Sequence, residues 1–357
     1  MAKRQKLSFV ELDDMPDEIM LKIFTFLDIR EILKCGQVSQ RIRAISNDES
    51  LWLKLNFYEG HVPYELLEKA VENGCKYLSL AFATLYDGEN SKMPLNLKYL
   101  EMSQDSDNEP GNFHEVHEGL LKNCHSLQKL AMENLVLKTE DVRQIGKNGT
   151  TLKVLNLADI GLSTPYPNRT KTIKKLFKRC VELIELNFSN TGPWDRESAL
   201  FAAIAYNLTP KILKVDFSMN KNLKDRHVEA LVKRCNNITE LDLSDTSITK
   251  DSVDSIATHL NSSLEKLDVS YTKIDSTELL QLRSVGTLKV LYCLKHLSGK
   301  KIEKIKIKNL RKNLPQLSIN KWQDALSSIA TSTDTFDYEN GLWEIKAEAQ
   351  FVDLNCS

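Results

Sequence analysis

The chain has 357 residues, 41% hydrophobic and 27% charged, and its 48 basic and 49 acidic residues leave a net charge of −1. That balance excludes a whole-molecule attraction for nucleic acid or an anionic membrane, so charged recognition has to be local. No stretch reaches the roughly 20 apolar residues that span a bilayer, and the length suits a small domain joined to a repeat array better than one core.

The N-terminus, Met1 to Lys6, is basic, but the acidic run Glu11 to Asp14 follows where a signal peptide needs apolar residues. The chain is expected to be intracellular. Seven cysteines show no metal-ligand or disulfide spacing and fit reduced thiols.

Residues 8 to 57 predict three short helices. The first begins at Met15-Pro16-Asp17-Glu18-Ile19, where proline loses nothing by lacking an N–H and two carboxylates meet the positive helix end. Ile19, Ile23, Phe24 and Leu27 form an apolar stripe, while Met20, Leu21 and Phe26 leave little of this helix polar. A second helix is predicted over Arg30 to Cys35 and a third around Gln40 to Ile45, followed by Asp48-Glu-Ser-Leu-Trp52. So short a segment cannot cover that many large apolar side chains by itself. A cap over the next domain accounts for Leu51 to Phe57 but not for the excess in the first two helices.

From about residue 75 one pattern recurs, Leu-x-x-Leu-x-Leu with conservative swaps. It runs from Leu97/Leu100/Met102 through Leu127, Leu152, Leu183, Ile212, Ile238, Leu264 and Leu288 to Leu314/Leu317/Ile319, at steps of 24 to 31 residues. Cys75/Leu78/Leu80 is a degenerate first copy. This is the period of a leucine-rich repeat. Each Leu-x-Leu puts two leucines on one face of a short strand, and that face needs neighbouring repeats to bury it. The intervening segments predict helices, and Cys124, Cys180 and Cys235 recur at one phase within them as buried thiols.

The residue inside each Leu-x-Leu faces the concave side: Glu101, Ala131, Asn156, Asn187, Asp216, Asp242, Asp268 and Tyr292, with Lys214, Glu240 and Lys266 two places upstream of the three aspartates. Stacked aspartates repel across neighbouring strands, which points to the later repeats as a partner-facing zone. Beyond the array, Trp322, Phe336, Tyr338, Leu342, Trp343, Ile345 and Phe351 are too many large apolar groups for a disordered end, so the tail is expected to dock on the solenoid.

Enzyme signatures are missing: no phosphate-binding glycine loop, nucleophile elbow or metal-binding Cys/His set. His114-x-x-His117 beside the acidic loop Asp105 to Glu109 lacks further ligands, so neither a metal nor a cofactor is expected. The residues so far leave a binding protein, on one reading a plain leucine-rich-repeat scaffold or inhibitor with a helical cap.

Met15-Pro-Asp-Glu-Ile19, Ile23-Phe24, Leu27, Leu33, Val38-Ser39 and Asp48-Glu-Ser-Leu-Trp52 together resemble the F-box. The resemblance implies binding of the S-phase kinase-associated protein 1 linker through Pro16, Ile19, Ile23, Leu33, Val38 and Trp52, with Trp52 also anchoring the segment to the array. Ile42 departs from the family, where many members have tryptophan. Followed by the repeats, the segment is similar to the F-box/leucine-rich-repeat receptors. Leu241-Asp-Leu-Ser-Asp245, Leu314-Pro-Gln-Leu317, Ser328-Ile-Ala330 and Leu342-Trp343-Glu-Ile-Lys346 point to a cell-cycle branch.

That resemblance implies a non-catalytic substrate-recognition subunit of an SCF-type ubiquitin ligase, joined through the linker to cullin and RING subunits. It implies phosphorylated substrates such as a cyclin-dependent kinase inhibitor, proteasomal degradation, and a nuclear and cytoplasmic location. It also implies a Cks-type subunit, contacted by Asp245 and by Lys221 in place of the family's arginine. A further arginine of the family falls on Tyr271 and is lost. Lysine lacks arginine's bidentate fork, so this contact is expected to be weaker or shifted to Lys266 and Lys273. The expected fold is α/β: a three-helix F-box at 8–57, about ten β-α repeats at 58–319, and a tail at 320–357 packed on the array.

Overall fold

The computed structural model describes residues 15–86, 95–104, 119–163, 168–191, 199–294 and 309–320. At the N-terminal end lie α1 (Asp17–Phe24), α2 (Ile29–Cys35), α3 (Gln40–Ser46) and the single turn α4 (Glu49–Trp52). Each boundary has a local cause. Asp28 accepts the Glu31 amide at 2.8 Å while Glu31 accepts the Asp28 amide at 3.0 Å, a reciprocal cap on α2. Ser39 caps α3 through the Ile42 amide at 3.1 Å, and Arg41 ties the start of α1 through Asp17 at 2.7 Å. Gly36 allows α2 to close on α3, since a β-carbon there would lie 2.5 Å from the Ser46 hydroxyl.

The sequence predicts three helices here, and α4 is a fourth. Within α1 the buried pair is Met20 and Phe24, one turn apart, whereas Ile19 and Ile23 lie on the neighbouring, exposed face. The predicted stripe therefore mixes a core-facing and a solvent-facing row.

Past α4 the chain enters a parallel sheet. Its eleven strands are β1 (Lys54–Asn56), β3 (Tyr77–Ser79), β5 (Tyr99–Glu101), β6 (Lys129–Ala131), β8 (Val154–Asn156), β10 (Glu185–Asn187), β11 (Lys214–Asp216), β12 (Glu240–Asp242), β13 (Lys266–Asp268), β14 (Val290–Tyr292) and β15 (Ser318–Ile319). Sequence order and spatial order coincide. Two small sheets, β2 (His61–Pro63) with β4 (Thr84–Tyr86) and β7 (Val136–Leu137) with β9 (Gly161–Leu162), lie outside the main one.

The register places each repeat's central leucine on the next, Leu100 on Leu130 on Leu155 on Leu186, and all four are buried. Helices cover the outer side, among them Thr139–Lys147, Asn168–Arg179, Ala199–Ala205, Asp225–Arg234 and Lys250–His259, with a 3-10 helix at Glu278–Ser284. Midway along, Phe177, Phe188, Phe201 and Phe217 pack edge to face at 6.4, 6.3 and 5.7 Å. Cys124, Cys180 and Cys235 are buried in this layer, and burial pushes their thiols up to about 12, which makes them inert packing groups.

One repeat escapes the leucine pattern. Trp52-x-x-Leu55-x-Phe57 occupies the same frame as Cys75-x-x-Leu78-x-Leu80, and β1 pairs in parallel with β3. The array thus starts inside the span assigned to the F-box. Trp52 is fully buried and its Nε1–H donates to the Ser46 carbonyl at 2.7 Å. Lys69 stands 5.7 Å from the centre of its ring. The tail, the acidic loop 105–109, His114 and His117 lie outside the described residues.

Replacing Trp52 by alanine should cost about 3–5 kcal/mol, because a large cavity opens and a buried carbonyl loses its donor. In a solenoid the damage stays near the lesion. Hydrogen exchange should therefore accelerate over residues 40–80 and remain unchanged over 210–290. Equal loss of protection along the whole array would contradict a junction role for this side chain.

Candidate functional site

Two surfaces stand out. The first is apolar and belongs to the N-terminal helices. Ile19, Ile23, Phe26 and Val38 are 50%, 39%, 75% and 79% exposed, a concentration of bare large hydrophobic groups found in no other stretch of this length among the described residues. Ile19, Ile23 and Phe26 follow one helical stripe, since the turn after α1 keeps the Phe26 amide on the Ile23 carbonyl at 3.0 Å. Val38 follows the end of α2, Pro16 is exposed at the N-cap of α1, and Leu33 is half-buried against the core.

Trp52 does not belong to this surface. A fully buried indole with its N–H already used offers nothing to a partner, which corrects its place among the predicted linker contacts. Phe26 belongs there instead. Its signal in the sequence was an aromatic residue at the spacing of Ile19 and Ile23, just past the helix end.

The second surface is the concave side of the sheet and its rim. The row inside the Leu-x-Leu motifs has a structural duty. Asn156 accepts the Ala158 amide at 3.1 Å, Asn187 the Ser189 amide at 3.0 Å, and Asp216, Asp242 and Asp268 the amides of Ser218, Ser244 and Ser270 at 2.8, 2.9 and 2.7 Å. Each side chain closes the turn that ends its strand. A neutral carbonyl oxygen suffices for that bond, as the two asparagines demonstrate. The charge on the three aspartates is surplus to the turn.

That charge is costly. Asp216, Asp242 and Asp268 stand directly opposite one another in the register. Burial, followed by the charges of Asp268 and Asp216, holds the Asp242 carboxyl well above the usual carboxylate range, and burial also raises Asp216. Asp216 and Asp242 are half-buried, but Asp268 is only 4% exposed beside the buried Tyr292. The expectation of Asp268 as a direct contact is corrected accordingly. Glu133 joins the acidic character, its carboxyl pushed up to about 7 by burial while it accepts from Asn156.

Two residues upstream the pattern reverses. Glu185, Lys214, Glu240 and Lys266 alternate along the strands with separations of 3.5, 3.3 and 3.8 Å. Burial works against the Lys214 charge, yet Glu185 and Glu240 more than offset it. The lysines of this face are therefore engaged, and the excess charge of the later repeats is negative.

At the rim, Asn190, Met219, Asp245 and Tyr271 occupy one turn position in successive repeats, all with left-handed backbone (φ 46°, 61°, 52° and 57°). Met219, Asp245 and Tyr271 present partly exposed side chains, Tyr271 the most at 51%. Lys221 and Asp245 form an ion pair with each other in the free chain. The two residues singled out for a Cks-type subunit are thus brought together, with Tyr271 one turn further along and Lys273 exposed beyond it.

Comparison with known proteins adds identity to this geometry. The F-box-like family matches residues 12–58, and the family described as SKP2 LRR domain matches residues 66–350. A helical F-box head on a leucine-rich-repeat solenoid defines the class of F-box/leucine-rich-repeat proteins. Within that class the chain belongs to the SKP2-type family, whose repeat-domain match covers most of its length.

Individual relatives align over short stretches only. F-box/WD repeat-containing protein 8 of Homo sapiens is 43% identical over 49 residues, 14% of this chain and 8% of that protein. F-box only protein 15 of Homo sapiens is 48% identical over 42 residues, 12% and 8%. F-box protein dre-1 of Caenorhabditis elegans is 37% identical over 54 residues, 15% and 6%. The chain thus spans under a tenth of these relatives. Among solved structures an internalin from Listeria monocytogenes covers 82% of this chain and 89% of its own, at 14% identity and a TM-score of 0.47.

The carboxylate row gives a pH prediction. A carboxyl raised in the folded state stabilises the fold less as pH climbs through its folded pKa, and its penalty vanishes once both states are protonated. Asp242→Asn keeps the turn acceptor and removes the charge. It should raise stability by about 0.5–1 kcal/mol near neutral pH, and the gain should disappear near pH 3. Thermal melts of both proteins across that range check it. A gain that persists in acid would mean the effect is not electrostatic.

Proposed function

We propose that this chain is a non-catalytic substrate-recognition subunit of an SCF-type ubiquitin ligase. The apolar face of Ile19, Ile23, Phe26 and Val38 carries the reading, together with the F-box-like match on the same residues. A helical cap would turn these groups inward. Leaving them bare costs nothing if a protein covers them, and covering each is worth roughly 1–2 kcal/mol at these exposures. The partner proposed for that face is the S-phase kinase-associated protein 1 linker, which would bring the cullin and RING subunits that perform ubiquitin transfer.

The concave face and its rim are proposed to recruit the substrate, with degradation in the nucleus and cytoplasm as the consequence. Beside Asp216 and Asp242 the lysines Lys214 and Lys266 are already paired with Glu185 and Glu240, which leaves a phosphate little to bind on the concave face. A phosphorylated substrate, such as a cyclin-dependent kinase inhibitor, is therefore proposed to engage through the rim around Lys221 and Lys273 or through a Cks-type subunit seated there. Capture of the chain with the linker, and identification of what comes with it, tests the whole assignment.

Two variants separate the parts. Ile19→Asp with Ile23→Asp should leave the melting temperature close to that of the parent, because both side chains are already exposed, and should abolish linker binding in a pull-down. Undiminished capture would sink the ligase reading. Asp245→Lys removes an exposed ion pair of little worth to the fold. It should weaken capture of a Cks-type subunit by about 2 kcal/mol or more if that contact is dry, with linker binding intact. Equal capture by variant and parent would remove the Cks-type subunit from the proposal and leave the linker assignment standing.

A further inference from the structure

On the convex side, remote from the strands, the helices Thr139–Lys147 and Asn168–Arg179 pack together and bound a groove of about 870 Å3. Its walls carry six basic residues, Arg143, Lys147, Lys171, Lys175, Lys178 and Arg179, all exposed, against one carboxylate, Glu140. Arg143 pairs with Glu140 at 3.1 Å, and Gln144 also donates to that carboxylate at 2.6 Å. The other five cations form no ion pair among the described residues. The floor is apolar, made by Val142, Gly146 and Leu176, each buried.

This groove differs from the rest of the convex layer. On Asp225–Arg234 the lysine Lys233 is paired with Glu229, and Lys250–His259 carries Asp251 and Asp254. Asn168–Arg179 has no acidic residue, and it sets Lys171 against Lys175 and Lys174 against Lys178 at one-turn spacing. Like charges at that spacing weaken a helix. Here the buried Ile173, Leu176 and Phe177 hold it in place regardless. The unbalanced cations therefore have no structural use.

We propose that the groove docks an acidic peptide segment of a partner protein, a short stretch of Asp and Glu with one apolar side chain lodged between Val142 and Leu176. A twelve-residue helix is about 18 Å long, which matches five or six residues of extended peptide at roughly 3.3 Å each. No aromatic side chain lines the groove on which a base could stack. Its apolar groups lie at the floor rather than projecting, which does not suit a lipid surface. Lying in the opposite layer from the sheet, the groove can be filled while the concave face is occupied.

The test uses the full chain and a fluorescein-labelled eight-residue peptide of Asp and Glu with a central Leu, followed by anisotropy. The parent should bind it, with affinity falling as salt rises. Lys171→Glu, Lys175→Glu and Lys178→Glu together should weaken binding at least tenfold, and serine for the peptide's leucine severalfold. The matched reversal Lys211→Glu, Lys250→Glu and Lys289→Glu should change binding less than twofold. Should the glutamate triple melt below the parent, the corresponding glutamine triple replaces it, with a weakening of at least threefold expected. The proposal is overturned if the parent does not bind the peptide, if the matched reversal weakens binding as much, or if a single-stranded oligonucleotide or an anionic phosphatidylserine vesicle binds this groove more tightly than the peptide.

Discussion

A strand of three residues can satisfy its backbone only through the strands on either side, and that requirement governs the molecule from Lys54 to Ile319. No repeat is a folding unit by itself, so the order of repeats in the chain becomes their order in space. The consequence is sharpest at the N-terminal edge, where the first strand has a neighbour on one side only. There Trp52 covers the open end of the core. It ends the last helix of the F-box head and occupies the first apolar slot of the first repeat, so the head is continuous with the array's core. Trp52 joins the exposed apolar face of the head to the sheet, together with Arg30, which donates to the His61 carbonyl, and Glu49, which pairs with Lys76.

The register that satisfies the backbone also lines up identical side-chain positions a few ångströms apart. The structure answers the resulting repulsion in two ways on the same face. Along the upstream row, signs alternate from Glu185 to Lys266 and the charges neutralise one another. Along the central row, three aspartates stand opposite one another, and the carboxyls of Asp216 and Asp242 are driven upward. The turn chemistry does not demand this, because asparagine performs the same duty in β8 and β10. The fold therefore keeps charge here that its turns do not need, and the rim of Asp245, Lys221 and Tyr271 adjoins it.

A net charge of −1 conceals this division. The later concave repeats are acidic, the convex groove near Lys175 is basic, and the head is apolar where it is bare. Three surfaces of different chemistry are thus carried by one chain. Among the described residues a single buried cluster joins Trp52, the phenylalanine stack and Ile319.

Much of the fold was legible because a leucine-rich repeat writes its buried face as a period, and nothing but repetition is needed to read it. The strand at Lys54–Asn56 escaped because tryptophan and phenylalanine stand in two of its leucine slots, and volume rather than residue type is what the core requires. The apolar excess of the head was equally visible, yet its division was not: Met20 and Phe24 go inward and Ile19, Ile23 and Phe26 outward because α3 packs on one side of α1 and nothing described covers the other. The candidate charges show the same limit. Asp245 and Lys221 could be picked out one by one, but their pairing, the burial of Asp268 and the basic groove between two helices could not. The sequence determined which residues must be buried, since hydrophobic periodicity is a local property of the chain. The tertiary structure alone decided which polar and apolar groups remain for a partner, because that depends on distances between residues 20 to 40 positions apart.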